Sequence, residues 1–181
     1  NLLTVTNSTL SGNTAPFGGG IINNAGATLT LTNSTLSGNS ASSLGGGIFN
    51  GINSFNSTVG ILNIANTIIA NSTSGGDFSG NQPVTSTNNL ITIGTLTGAT
   101  TVTSAELNLG PLQNNGGPTF TMALGLGSPA IGSSSGTGTD QRGINRTTSD
   151  IGAYSFGIQV TTTAASGTGS LDAAITLANN S

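Results

Sequence analysis

The chain has no cysteine, no histidine and no tryptophan, and its two basic residues are Arg142 and Arg146, so lysine is missing too. Each absence excludes something. Without cysteine there is no disulfide and no thiolate metal site. Without histidine as well, a zinc or copper site would rest on carboxylates alone. A nucleic-acid binder needs a cationic footprint, which two arginines do not supply. The same shortage removes the attraction to anionic lipid, and no apolar run approaches the roughly 20 residues of a membrane span. The sequence therefore predicts no cofactor, no metal, no nucleic-acid partner and no membrane insertion by this segment. Charged residues make up only 4% of the chain, against about 25% in typical soluble domains.

What fills the chain instead is Thr, Ser, Asn and Gly with scattered Leu, Ile and Val. Disorder would call for high net charge and few strand formers, and this chain shows the reverse. Internal repetition is the dominant signal. Leu3-Thr-Val-Thr-Asn-Ser-Thr-Leu-Ser-Gly-Asn13 returns as Leu29-Thr-Leu-Thr-Asn-Ser-Thr-Leu-Ser-Gly-Asn39, with Val5 alone changed, to Leu31. Gly18-Gly-Gly-Ile21 returns as Gly45-Gly-Gly-Ile48. A drifted copy runs Leu62-Asn-Ile-Ala-Asn-Thr-Ile-Ile-Ala-Asn71, followed by Gly75-Gly76. The spacing of 26 residues between the first two copies lies within the solenoid range of roughly 20–50.

Within a copy the period is two, which is a strand signal. Asn-Ser and Ser-Gly-Asn punctuate it as turns. Each copy reads as several short strands joined by tight turns, one coil of a β-solenoid. The predicted core columns are Leu3 over Leu29 and Leu62, Val5 over Leu31 and Ile64, Leu10 over Leu36 and Ile69, and Ile21 over Ile48. Asn7, Asn33 and Asn66 would form a further column exchanging amide hydrogen bonds. The glycine triplets suit corners with positive φ or close backbone approach. Further strands are expected at Asn88–Gly94, Thr95–Thr97 and Ile151–Phe156, with a flexible loop over Ser133–Thr139. Residues 1–157 would form one parallel β-helix domain of about six coils. Residues 158–181 would add a strand and a helix, with Ser170 as N-cap and an apolar face of Leu171, Ala174, Ile175 and Ala178.

The repeats resemble those of bacterial surface β-helix proteins related to the polymorphic outer-membrane and choice-of-anchor families. Leu109-Gly-Pro-Leu-Gln-Asn-Asn-Gly-Gly-Pro-Thr119, Gly127-Ser-Pro-Ala-Ile131, Thr139-Asp-Gln-Arg-Gly143 and Asp150-Ile-Gly-Ala-Tyr154 are similar to the segment that closes such domains. Where that pattern often has Cys before Asp150 and Glu after Tyr154, this chain has Ser149 and Ser155. Val160–Ile175 resembles the opening of such domains, which implies that another unit follows. The resemblance implies a right-handed fold and display outside the cell or on its surface, and it implies no known catalytic activity.

Parallel β-helices also include polysaccharide lyases and hydrolases, so the acids matter. Lyase chemistry wants a base and a calcium cluster, and hydrolysis wants paired carboxylates. The one local cluster is Asp140, Arg142, Arg146 and Asp150; ion pairing and turn capping account for it with so few charges. Asp77 follows a glycine pair and reads as a turn cap. Thr4-x-Thr6 and Thr30-x-Thr32 would stack into an outward threonine ladder like those of ice-binding solenoids, interrupted by Asn63 and Ala65. Strand propensity alone also explains threonine there. Of the sequons at Asn7, Asn33, Asn56, Asn71 and Asn145, the first two follow from the repeat itself.

The expected function is a structural unit of an extracellular bacterial surface protein or filament. Residues 158–181, through Val160, Leu171, Ala174, Ile175 and Ala178, would dock on the first coil of the next copy near Leu2 and Val5. A surface without lysine would also resist trypsin-like cleavage. An adhesin or glycan-binding module is the first alternative, using loops 52–59 or 72–87 with Phe49, Phe55 and Phe78. A polysaccharide-cleaving enzyme is the second.

Overall fold

The computed structural model describes residues 1–51, 58–146, 149–157 and 166. The predicted assembly helix and its contact residues Val160, Leu171, Ala174, Ile175 and Ala178 lie outside these, as do Phe55 and most of loop 52–59.

The described chain is all-β apart from one short helix. Its first tier comprises β1 (Leu2–Thr6), β2 (Thr9–Ser11), β3 (Thr14–Phe17) and β4 (Ile21–Asn23). The second repeats them as β5 (Thr28–Thr32), β6 (Thr35–Ser37), β7 (Ser40–Leu44) and β8 (Ile48–Asn50). The third holds β9 (Ile61–Ala65), β10 (Ile68–Ala70) and β11 (Phe78–Gly80), and the fourth β12 (Thr85–Thr87) and β13 (Asn89–Ile91). Equivalent strands pair in parallel, in the orders β1-β5-β9-β12, β2-β6-β10-β13 and β4-β8-β11, with β3 on β7. Then β14 (Ala99–Thr101) adds a fifth strand beside β13. Among the described residues the chain beyond β14 forms no further tiers, so the expected six are not reached there. It becomes α1 (Ser104–Leu107), an antiparallel hairpin of β15 (Leu109–Gln113) and β16 (Thr121–Leu124), and a long irregular segment.

The register follows the repeats. Leu3, Leu29 and Leu62 align, as do Val5, Leu31 and Ile64, Leu10, Leu36 and Ile69, and Ile21 with Ile48. Leu29, Leu31, Leu36, Ile48, Leu62, Ile64 and Ile69 are buried in one cluster that Phe78, Ile91 and Leu96 extend. Leu3 departs from its predicted place in the core: it is 50% exposed. β1 is an edge strand, so its inward residue has a neighbour on one side only. Val5 and Leu10 are half-buried for the same reason.

Two expected strands are absent. Thr95–Thr97 is a turn approach whose Leu96 plugs the core, and Ile151–Phe156 is a run of bends. The column of Asn7, Asn33 and Asn66 sits at left-handed corners, with φ of 48°, 49° and 51°. There the backbone amides of Asn7 and Asn33 donate to Thr32 and Ala65 carbonyls, and the predicted amide exchange between those two side chains does not form. One amide-to-amide bond forms further along the same column, Asn88 Nδ2 to Asn66 Oδ1 at 3.2 Å, and others run elsewhere: Asn13 Nδ2 to Asn39 Oδ1 at 3.0 Å, and Asn23 Nδ2 to Asn50 Oδ1 at 2.8 Å. Gly18 and Gly45 take positive φ, and a Cβ on Gly46 would lie 2.3 Å from the Ser74 carbonyl oxygen.

The short strands β6, β10 and β13 are buried on both faces. Leu36, Ile69 and Ile91 point into the stack. Ile68 and Leu90 point outward and pack against Leu107, Leu124, Ala130 and Ile151 from the closing segment. That segment therefore lies along one flank of the stack.

Candidate functional site

The closing segment carries the charged cluster. The Asp140 carboxylate accepts from Arg142 Nε at 2.8 Å, from the Ser155 N–H at 3.0 Å and from the Arg142 and Ile144 N–H groups at 2.8 and 3.2 Å. Arg142 Nη2 lies 2.6 Å from the same Asp140 oxygen, Oδ2, that Nε meets, so two nitrogens converge on one carboxylate oxygen. The same guanidinium donates to the Ser155 carbonyl and stacks 3.7 Å from the Tyr154 ring centroid. The Asp150 carboxylate accepts from Gly132 N, Ser155 Oγ and Phe156 N, and it is fully buried. Arg146 reaches across, donating to the Asp150 and Gly152 carbonyls and to Asn7 Oδ1. Its burial lowers the guanidinium pKa, opposed by Asp140 and Asp150. Ser155, where the resembled pattern has Glu, thus closes the acids together. This arrangement clamps loops; it presents no carboxylate to an open groove.

Asp77 is another buried clasp. Its carboxylate accepts from Ser72 N, Thr92 N, Thr92 Oγ1 and Ile93 N. Glu106 belongs to a capping box with Thr103, whose N–H and hydroxyl hold the Glu106 carboxyl below its usual pKa. Among the described residues no group of three or more His, Cys, Asp or Glu is placed to hold a metal ion. No helix among them is long and apolar enough to cross a membrane. Of the aromatics expected to serve a glycan, Phe78 is a core residue, and Phe49 lies against Phe17 with centroids 5.3 Å apart.

Three surfaces remain. The first is the open end at β1 to β4, all of them edge strands, where Leu2 is 75% exposed beside a cleft of 230 Å³ lined by Leu3, Ile21 and Ile22. The second is a shallower cleft of 710 Å³ between β2 and the β15–β16 hairpin. Its walls include Asn13, Leu112 and Phe120, the last 58% exposed. Gln141 ties the two sides, accepting from Thr9 Oγ1 and donating to Thr119 Oγ1. Leu112 and Gln141 lie within the closing motifs, but nothing in the sequence marks them or Phe120 as cleft residues, because the hairpin's docking on the first tier is a long-range event. The third is the outward face of β1-β5-β9-β12. There Thr4, Thr30, Asn63 and Thr85 share one column, and Thr6, Thr32, Ala65 and Thr87 the next. Thr85 and Thr87 escape the repeat pattern because the third and fourth tiers are spaced differently from the first two.

Compared with known families, curated proteins and solved structures, the chain has no significant match.

Proposed function

We propose that the chain is a right-handed single-stranded parallel β-helix, similar to the bacterial surface β-helix proteins whose motifs it resembles, and that it serves as a structural unit of an extracellular surface protein or filament. The observation that carries this reading is the in-register parallel pairing of equivalent strands from tier to tier. In this sequence β1, β2, β3 and β4 are edge strands with Leu2, Leu3 and Ile22 exposed beside them, a surface suited to a further tier, of this chain or of another copy. A stack of this kind is completed by a further tier or a cap. On this reading copies join head to tail, with residues 158–181 of one copy on the first tier of the next. Such heterologous contacts propagate as filaments.

The test is electron microscopy and sedimentation of the full chain at rising concentration, beside a Leu2→Lys/Leu3→Lys variant. Filaments from the parent and short rods from the variant support the reading. Monodisperse rods from the parent at every concentration would overturn it.

A second reading, an adhesive or glycan-binding module, draws on one observation: exposed Phe120 beside Asn13 and Gln141 in the side cleft. Aromatic faces flanked by amides suit sugar rings. A glycan array with a Phe120→Ala control tests it. The buried Asp140–Asp150 cluster counts against polysaccharide cleavage.

A further inference from the structure

The outward face of β1-β5-β9-β12 is a two-dimensional grid. Its two columns hold Thr4, Thr30, Asn63, Thr85 and Thr6, Thr32, Ala65, Thr87. The interruption at Asn63 and Ala65 is therefore one row deep, and threonine resumes in the fourth tier. Across these rows Thr85 Oγ1 donates to Asn63 Oδ1 at 2.9 Å, which holds the Asn63 amide in its column. Among the described residues, the hydroxyls of Thr4, Thr6, Thr30, Thr32 and Thr87 have no protein partner and are left to water. A third column of Leu2, Thr28 and Ile61 flanks the grid with methyl groups.

We infer that this face binds an ordered lattice of water, the surface of ice. Parallel strands fix the rows roughly 4.8 Å apart, and alternate residues along a strand fix the columns about 6.6 Å apart. That rectangular repeat is close to the spacing of oxygen rows on a prism plane of ice. Threonine suits such a surface for two reasons. Its hydroxyl both donates and accepts. Its β-branch restricts χ1, so hydroxyl and methyl positions repeat without an ordering penalty on contact. No Asp, Glu, Lys or Arg stands in any of the three columns, so no ionic hydration shell breaks the lattice. The closing segment packs on the neighbouring sheet through Ile68 and Leu90 and meets this one only at its border, where Thr139 and Ser135 bond Asn7, Asn66 and Asn88; among the described residues it makes no hydrogen bond to a side chain of the grid. A soluble ligand fits poorly on the two threonine columns, which line neither of the described clefts and carry no aromatic platform. Many weak contacts in one rigid plane are additive only against a surface that repeats with the same period. This inference is independent of filament formation.

The test is ice-affinity partitioning of the full chain, with thermal hysteresis as a second readout. Thr30→Tyr places a bulky ring in the centre of the grid; Leu44→Tyr places one at the exposed end of β7, in a different sheet. Circular dichroism checks that both variants fold. The parent and Leu44→Tyr are expected to concentrate in the ice fraction, and Thr30→Tyr to lose most of that enrichment. Exclusion of the parent from ice would overturn the assignment. So would equal enrichment of Thr30→Tyr, which would move the contact elsewhere. Retention on insoluble chitin or cellulose without enrichment in ice would overturn it in favour of a crystalline polysaccharide.

Discussion

The Ala153 backbone N–H donates to the Thr35 hydroxyl at 3.0 Å, across 118 residues of chain. Thr35 lies in β6, in the middle of the stack, and Ala153 in the closing segment. Next to this bond the Gly152 N–H donates to the Asn66 carbonyl. Gly152 takes φ of 103°, which L side chains rarely adopt, and a Cβ there would also lie 2.9 Å from Thr35 Oγ1, the acceptor of this bond, so glycine suits the approach. The closing segment is thus stitched to several tiers at once: to Asn7 and Thr9 in the first, Thr35 in the second, and Asn66 in the third.

Thr35→Val keeps the shape of this contact and removes the acceptor. The buried Ala153 N–H is then unsatisfied, which costs about 1–3 kcal/mol. Urea denaturation should show the midpoint fall with an unchanged slope. A fall in the slope would instead report that the closing segment detaches on its own.

Asp140→Asn removes one charge of a pair that is almost wholly buried. Arg142 keeps its stacking on Tyr154 but loses its counter-charge. Breaking a buried pair in this way costs roughly 3–5 kcal/mol. The Asp140→Asn/Arg142→Met double variant should recover part of the loss, read by thermal melting. A loss confined to a few tenths would mean that the clamp is dispensable.

Asn39 holds the first two tiers together from inside. Its Oδ1 accepts from both nitrogens of Asn13, and its Nδ2 donates to the Leu10 carbonyl at 2.9 Å. Asn39→Leu adds apolar bulk yet strands these groups, at about 1–3 kcal/mol for each one left unpaired. Amide hydrogen exchange should quicken first at Asn13.

Gly46→Ala and Gly12→Ala separate close approach from backbone strain. At Gly46 the new methyl meets the Ser74 and Gly76 carbonyl oxygens, at 2.3 and 2.8 Å, and the tiers must part. At Gly12 the space is open and only φ of 70° resists, worth about 1–2 kcal/mol. Gly46→Ala is expected to yield insoluble or non-cooperatively unfolding protein, and Gly12→Ala a folded one with a modestly lower melting temperature.

The Thr103–Glu106 capping box gives a pH signature. The folded-state pKa of Glu106 is depressed by the Thr103 N–H and hydroxyl. Its contribution is therefore present above the ordinary Glu pKa of about 4.3 and is lost as pH falls through the folded value. The Thr103 amide resonance should shift in that acid range, while Glu106→Gln flattens the curve. An unchanged shift in the variant would assign the transition to another acid.

Repetition carries the stack. Two nearly identical eleven-residue copies, with period-two apolar positions, are enough to place Leu29, Leu31 and Leu36 inside, because in-register parallel pairing makes chemical identity a positional address. The charged cluster too could be singled out from composition, since it holds four of the chain's seven charged side chains. Its geometry could not. Whether Asp140 and Asp150 face a groove or a loop depends on where a non-repeating segment settles, and spacing does not encode that. Nor does the sequence reveal that Leu3 is half-exposed, since the alternating pattern is blind to which strand lies at an edge. The left-handed corners at Asn7, Asn33 and Asn66, the flank taken by the closing segment and the return of threonine at Thr85 and Thr87 are settled only by long-range packing. Local propensity and periodicity act over a few residues; contacts such as Thr35 with Ala153 arise when the outer face of β10 and β13 is apolar and a partner segment is long enough to cover it.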